Sequence, residues 1–247
     1  PIGTYITLES EDLRREDESF HQPMMEVLAK HLRQFIGTKT KIMVAGLGNR
    51  DVTPDALGPL VIDNLYVTRH LLSEGIITRS VELSAIAPGV MAQTGMESVT
   101  ILKALVDEIK PELVIVIDAL AARDSDRLNK TIQLADTGIT PGSGVGNHRN
   151  AINKESIGVP VLAIGVPTVI SVPTIVNDAM DKLVETIGKQ TTKHVLKKFN
   201  EEERYQLACE MVSPYLEKMF VTPKDIDQAV KRISYTISEA INTAALT

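Results

Sequence analysis

The stretch Lys41–Leu60, KIMVAGLGNRDVTPDALGPL, decides how the chain folds. It opens on a short apolar run, Ile42 to Ala45, and turns through Gly46, Leu47 and Gly48. A polar segment with Asn49, Arg50, Asp51 and Thr53 follows, then Asp55 and the start of a helix near Gly58-Pro59. A buried strand that opens onto a polar loop and a helix is how α/β folds build sites. A second apolar run, Leu113 to Ile117, ends in another acid, Asp118. The chain reads as a device for holding Asp55 and Asp118 near one another.

Working outward, Pro1 to Leu8 alternates apolar and polar residues, which predicts an edge strand or an extended arm. Glu9 to Phe20 is highly charged and reads as a solvated loop or helix face. Met24, Val27, Leu28, His31 and Phe35 have helical spacing over Pro23 to Ile36, with Gly37 as the stop and His31 as a packed side chain. A helix is expected from about Leu57 to Leu72, with Pro59 near its start, where its missing amide costs nothing. Strands follow at Val81–Ala85, Leu113–Ile117, Thr131–Leu134 and Val159–Ile164, with a helix over Ser98–Ile109. Thr137 to Asn153, TGITPGSGVGNHRNAIN, is a long Gly, Ser and Asn-rich loop of the kind that carries function. Beyond it come a helix over Ser171–Thr186, a linker at Gly188–Lys193, and helices over Glu201–Phe220 and Pro223–Ala245, the last with Thr222 as cap.

Strands alternating with helices imply a mainly parallel sheet covered on both faces. In the common 2-1-3 strand order the first and third strands are neighbours, and ligands bind at their carboxyl ends. Asp55 and Asp118 then meet over that crevice.

Composition narrows the function classes. The chain has 247 residues, 43% hydrophobic and 4% aromatic, with no Trp, so the core rests on aliphatic side chains and Met. The net charge of −6 argues against a duplex nucleic-acid surface. The single Cys209 excludes an internal disulfide framework, suits a reducing compartment and reads as packing in a helix. No apolar run of about 18 residues spans a membrane, and no secretory signal is visible. Pro1 stands first without a Met, so the natural N-terminus is expected to have been removed, either by processing or by design.

The glycines at 46 and 48 invite a dinucleotide reading, but Asp51 occupies the third glycine position and sets an anion where a pyrophosphate would approach. Asp55 at a helix start also fits a cap, and Asp118 at a strand end fits a loop cap. Together the two acids fit catalysis: close carboxylates resist double ionisation, so one holds a proton while the other acts as base. Such a pair activates water against a peptide carbonyl and protonates the leaving amine. The same acids suit a divalent metal, for which His148 in the long loop is the one candidate partner. No HExxH or GxSxG motif is present.

The runs GLGNRDVTPDALGP (46–59), APGVMAQTGMES (87–98), VIVIDALAAR (114–123), PGSGVGNHRNAI (141–152), IGVPVLAIGVPTVI (157–170) and MFVTPKDIDQAV (219–230) resemble the germination protease family over nearly the whole chain. The resemblance implies a three-layer α/β/α sandwich like that of the hydrogenase-maturation endopeptidases. It implies one peptidase domain over 1–247, with a core of about 38–188, an N-terminal arm over 1–22 and a C-terminal helical segment over about 194–247. It implies a cytoplasmic endopeptidase of the forespore and spore core that cleaves small acid-soluble DNA-binding spore proteins after Glu. It also implies a self-processing zymogen that assembles as a homotetramer. The family's essential aspartates map onto Asp55, within TPDALGP, and Asp118, within VIDAL; Asp51 is read as a bystander. The related hydrogenase-processing enzymes use two acids and a His on a metal, and no His here stands in an equivalent motif, so no cofactor and no metal are expected. Arg149, and with it His148, are expected to meet an acidic substrate side chain, since a guanidinium fork binds both carboxylate oxygens. The alternatives are a metal-dependent peptidase using the same acids, and a non-catalytic module whose crevice only holds a peptide or nucleotide.

Overall fold

The computed structural model describes residues 2–14, 21–78, 80–146, 149–187 and 201–246. In chain order the elements are β1 (Tyr5–Glu9), α1 (His21–Ile36), β2 (Lys41–Gly46), α2 (Leu57–Asp63), α3 (Arg69–Ser73), β3 (Glu82–Ile86), α4 (Met91–Thr94) and α5 (Ser98–Ile109). They continue with β4 (Leu113–Ala122), β5 (Thr131–Ala135), α6 (Lys154–Ile157), β6 (Val161–Ser171), α7 (Val172–Ile187), α8 (Glu201–Met211), α9 (Pro214–Glu217), β7 (Phe220–Val221) and α10 (Ile226–Leu246). The expected linker at 188–193 lies outside the described residues.

One sheet runs β1-β5-β6-β4-β2-β3, with β7 added to the end of β6. Strands β6, β4, β2 and β3 are parallel, while β1, β5 and β7 pair antiparallel. The first core strand therefore lies between the second and third, which is the expected 2-1-3 order. Alternation along the strands sends side chains to two faces. Ile42, Val44, Ile115 and Ile117 pack with α1, α2 and α10, whereas Met43, Ala45, Val114 and Val116 pack with Leu102 and Val106 of α5 and Ile157 of α6. The result is an α/β/α sandwich. Helix α10 buries Val230, Ile233, Ile237 and Ile241, a stripe at helical spacing. Among the described residues no helix is long and apolar enough to cross a membrane.

Several elements depart from what the sequence predicts. The helix expected over 57–72 breaks after Asp63. Asn242 of α10 donates to the Asn64 carbonyl at 3.1 Å and accepts the Tyr66 amide at 3.0 Å. Thr68 then bonds Leu83 on the edge of β3. The helix expected over 201–220 stops at Met211 and restarts at Pro214, where Ser213 serves as cap. The last helix begins at Ile226 rather than Pro223, and the Thr222 hydroxyl donates to the Thr168 carbonyl at 3.1 Å instead of capping. Strands β4 and β6 each run well past their expected ends, pairing as far as Ala122 with Ile170.

Candidate active site

Glycines shape the exit from β2. A Cβ on Gly46 would sit 2.2 Å from the Gly58 carbonyl oxygen, so only bare backbone lets α2 pack against the strand end. Gly48 has φ +108°, and a Cβ there would sit 2.0 Å from the carbonyl oxygen of Asp55. The loop therefore folds back onto itself, and both glycines are required for close packing of backbone on backbone. The 3-10 turn Thr53–Asp55 that results holds Asp55 above the carboxyl end of the sheet, with its amide donating to the Val52 carbonyl at 2.8 Å. The Asp55 carboxylate accepts the backbone amide of Asn49 at 2.7 Å.

Asp118 does not end its strand; it lies within β4, opposite Gly165 of β6. What ends there is β2, whose last rungs are Gly46 with Ile117 and the Leu47 amide on the Ile117 carbonyl. Asp118 is thus the first β4 residue beyond its β2 neighbour, in the gap that the Gly46–Asp55 loop covers. It is 5% exposed. Burial first, and then the negative charge of Asp55, push its pKa up to about 8, against one backbone amide from Ala119. Burial also raises Asp55, opposed by the Asn49 amide. The pair therefore favours one shared proton near neutral pH, held on the more buried Asp118.

The described residues of the segment, 137–146 and 149–153, form the next wall. Ile139 bridges Ile152, and Gly144 packs on Ala121 at the outer end of β4. Arg149 lies 3.7 Å from Glu97 Oε1 and 3.1 Å from Met91 Sδ. From the same 91–97 segment, Gln93 donates to Asn49 Oδ1 at 3.0 Å and approaches Asp51 Oδ2 at 3.4 Å. A continuous rim thus joins Arg149 to the loop that carries Asp55. His148 lies outside the described residues. Asp51 is exposed and turned to Gln93. Among the described residues, no group of three or more His, Cys, Asp and Glu could hold a metal ion. Cys209 sits in α8, its thiol pushed up by burial and then by Glu217, which suits packing and not a nucleophile.

The site also contains a hydroxyl that the sequence reading did not single out. Thr168 is 1% exposed and donates to the Pro54 carbonyl at 2.7 Å. A signal for it exists in the run IGVPTVI (164–170): proline cannot donate to a ladder, so Pro167 inside a buried strand marks a bulge.

A family model described as germination protease matches residues 1–199. The germination protease of Caldanaerobacter subterraneus subsp. tengcongensis is 48% identical over 99% of this chain and 78% of its own. Those of Clostridium perfringens strain SM101 and Bacillus pumilus are 43% and 38% identical, covering 78% and 77% of their lengths. Among solved structures, the [NiFe] hydrogenase maturation protease HycI from Thermococcus kodakarensis is similar over 85% of this chain and 98% of that one, with 19% identity and a TM-score of 0.42.

Proposed function

The chain belongs to the germination protease family, a family of spore-germination peptidases, and from that premise we propose that it hydrolyses peptide bonds with Asp55 and Asp118 acting as an aspartate pair. The single observation that carries this reading is the burial of Asp118 beside Asp55, which keeps one proton on the pair at neutral pH. Asp55, the more accessible acid, is ionised and takes a proton from a water molecule. The water oxygen bonds to the scissile carbonyl carbon. Asp118 gives its proton to the amide nitrogen as the carbon–nitrogen bond breaks. Asp55 then returns its proton to Asp118 through solvent, and the pair is reset.

The substrates in this reading are the small acid-soluble proteins that coat spore DNA, cut after Glu, and the site of action is the forespore and spore core. Arg149 reads the Glu side chain. Its present partner Glu97 is a partly exposed ion pair, and such pairs contribute at most about 1 kcal/mol, so exchange for a substrate carboxylate costs little. The remaining parts of the proposal are a zymogen that removes its own N-terminal segment and a homotetramer.

The test is mass-spectrometric mapping of products from a purified small acid-soluble spore protein, with the parent run beside Asp55→Asn and Asp118→Asn, each checked for native folding. Single cuts after Glu by the parent, reduced by about a thousandfold or more in both variants, are expected. Cutting that persists in either folded variant removes that residue from the mechanism.

A further inference from the structure

Strand β6 carries one more residue than β4 along their shared ladder. Leu120 pairs with Pro167 and Ala121 with Val169, so Thr168 is the residue left over. Such a bulge turns a side chain or backbone group out of the ladder and aims it elsewhere. Here both carbonyls at the bulge are held by groups outside the β4 ladder. The Asn129 amide donates to the Pro167 carbonyl at 2.8 Å, and the Thr222 hydroxyl donates to the Thr168 carbonyl at 3.1 Å. With its backbone fixed on two sides, Thr168 sends its own hydroxyl to the Pro54 carbonyl at 2.7 Å, across 114 residues of sequence. That carbonyl belongs to the peptide unit that begins Asp55.

Among the described residues, the other hydrogen bonds of Asp55 are local to its loop, the Asn49 amide on its carboxylate and its own amide on Val52; its turn also packs against α10 and leads directly into α2, which packs on the sheet. These bonds fix the shape of the loop. Packing against α10 and the start of α2 brings the turn to the sheet, where Asp118 lies on β4, but packing is less directional than a hydrogen bond. The Thr168 bond runs from the sheet itself to the residue before Asp55. It is short, and its donor is buried, so water does not compete for it.

Resting on the aspartate-pair reading above, we infer that Thr168 is a positioning residue: its hydroxyl, presented by the β6 bulge and backed by Thr222, sets the distance between the Asp55 and Asp118 carboxyls. It touches neither substrate nor the reacting atoms. It acts through the Pro54–Asp55 peptide, and a displacement of about 1 Å in such a group can cost roughly a hundredfold in rate.

Thr168→Val keeps the shape and removes the donor, whereas Thr168→Ser keeps the donor. Two readouts on the full chain decide the matter. The first is amide hydrogen exchange, which needs no substrate. In Thr168→Val the Asn49 and Asp55 amides are expected to exchange at least tenfold faster while amides of β2 and β4 are unchanged, and Thr168→Ser is expected to match the parent. The second is cleavage of a small acid-soluble spore protein, where Thr168→Val is expected to lower kcat by roughly a hundredfold with KM unchanged and Thr168→Ser to restore it. Thr168→Ala replaces the valine variant if that one does not fold. Parental exchange at Asn49 and Asp55 in the donor-free variant overturns the inference. So does a serine variant that behaves like the valine one, or a uniform loss of protection through the sheet. Persistent cleavage by Asp55→Asn defeats the aspartate-pair reading instead, and the exchange result still decides whether Thr168 holds the loop.

Discussion

The backbone amide of Asn49 donates to the carboxylate of Asp55 at 2.7 Å, so the loop that leaves the first core strand closes on the acid that it delivers. This bond lowers the pKa of Asp55 while burial raises it. Asp118 has only the amide of its own neighbour Ala119 set against deeper burial and the charge of Asp55. The two acids thus differ in environment, and in the aspartate-pair reading the more deeply buried Asp118 is the one that holds the proton.

The pH dependence of cleavage follows. Asp118 must be protonated to serve as the acid, and its pKa is raised to about 8. The value of kcat/KM should therefore be maintained through neutral pH and fall as pH rises through about 8, approaching tenfold per unit above it. A profile flat to pH 10 in a fully folded enzyme would contradict the assignment.

Stability should move with the same proton. The folded-state pKa of Asp118 lies above its unfolded value, so between pH 4 and about 8 the folded chain binds more protons than the unfolded one. Stability from this group is then greatest at low pH and is lost as pH rises through about 8. Asp118→Asn removes the buried charge, so it should stabilise the fold at pH 9 by on the order of a few kcal/mol and change little near pH 4. Thermal melts of parent and variant at the two pH values measure the difference.

Gly48→Ala tests the loop geometry. An alanine would have to hold φ +108° with its Cβ against the Asp55 carbonyl. The strain is about 1–3 kcal/mol, which for a chain of this size lowers Tm by roughly 2–10 °C. Cleavage should fall by more than the loss of folded protein accounts for, because relief of the clash displaces Asp55. Gly37→Ala is a fitting control, since that glycine has positive φ with nothing within 4 Å.

Arg149 is tested through KM. Loss of a charge-assisted pair with a substrate Glu in Arg149→Ala should raise KM by roughly tenfold or more and leave kcat nearly unchanged. Glu97→Gln frees the guanidinium from its present partner and should lower KM for the same substrate. Steady-state kinetics on a peptide with a single Glu cleavage site, beside its Gln counterpart, measure both; equal KM values in parent and Arg149→Ala would remove Arg149 from substrate recognition.

The sequence alone carried the mainly parallel sheet; the order of its central strands rests on the commonest arrangement, which the fold adopts. Apolar runs such as Ile42–Ala45 and Leu113–Ile117, short and set between turn signals and helical patterns, read as strands buried on both faces of a covered sheet. It did not carry where those strands end. Asp118 follows an apolar run and reads as a terminus, yet β4 continues to Ala122, because β6 still pairs with it after β2 has turned away. Thr222 reads as a helix cap and is instead a donor to the β6 bulge. Asn64 reads as a helix interior until Asn242, far along the chain, takes its carbonyl. Periodicity is a local record of which residues avoid water. The bonds from Thr168 to Pro54 and from Asn242 to Asn64 join groups more than a hundred residues apart, and only the folded chain brings such partners within reach.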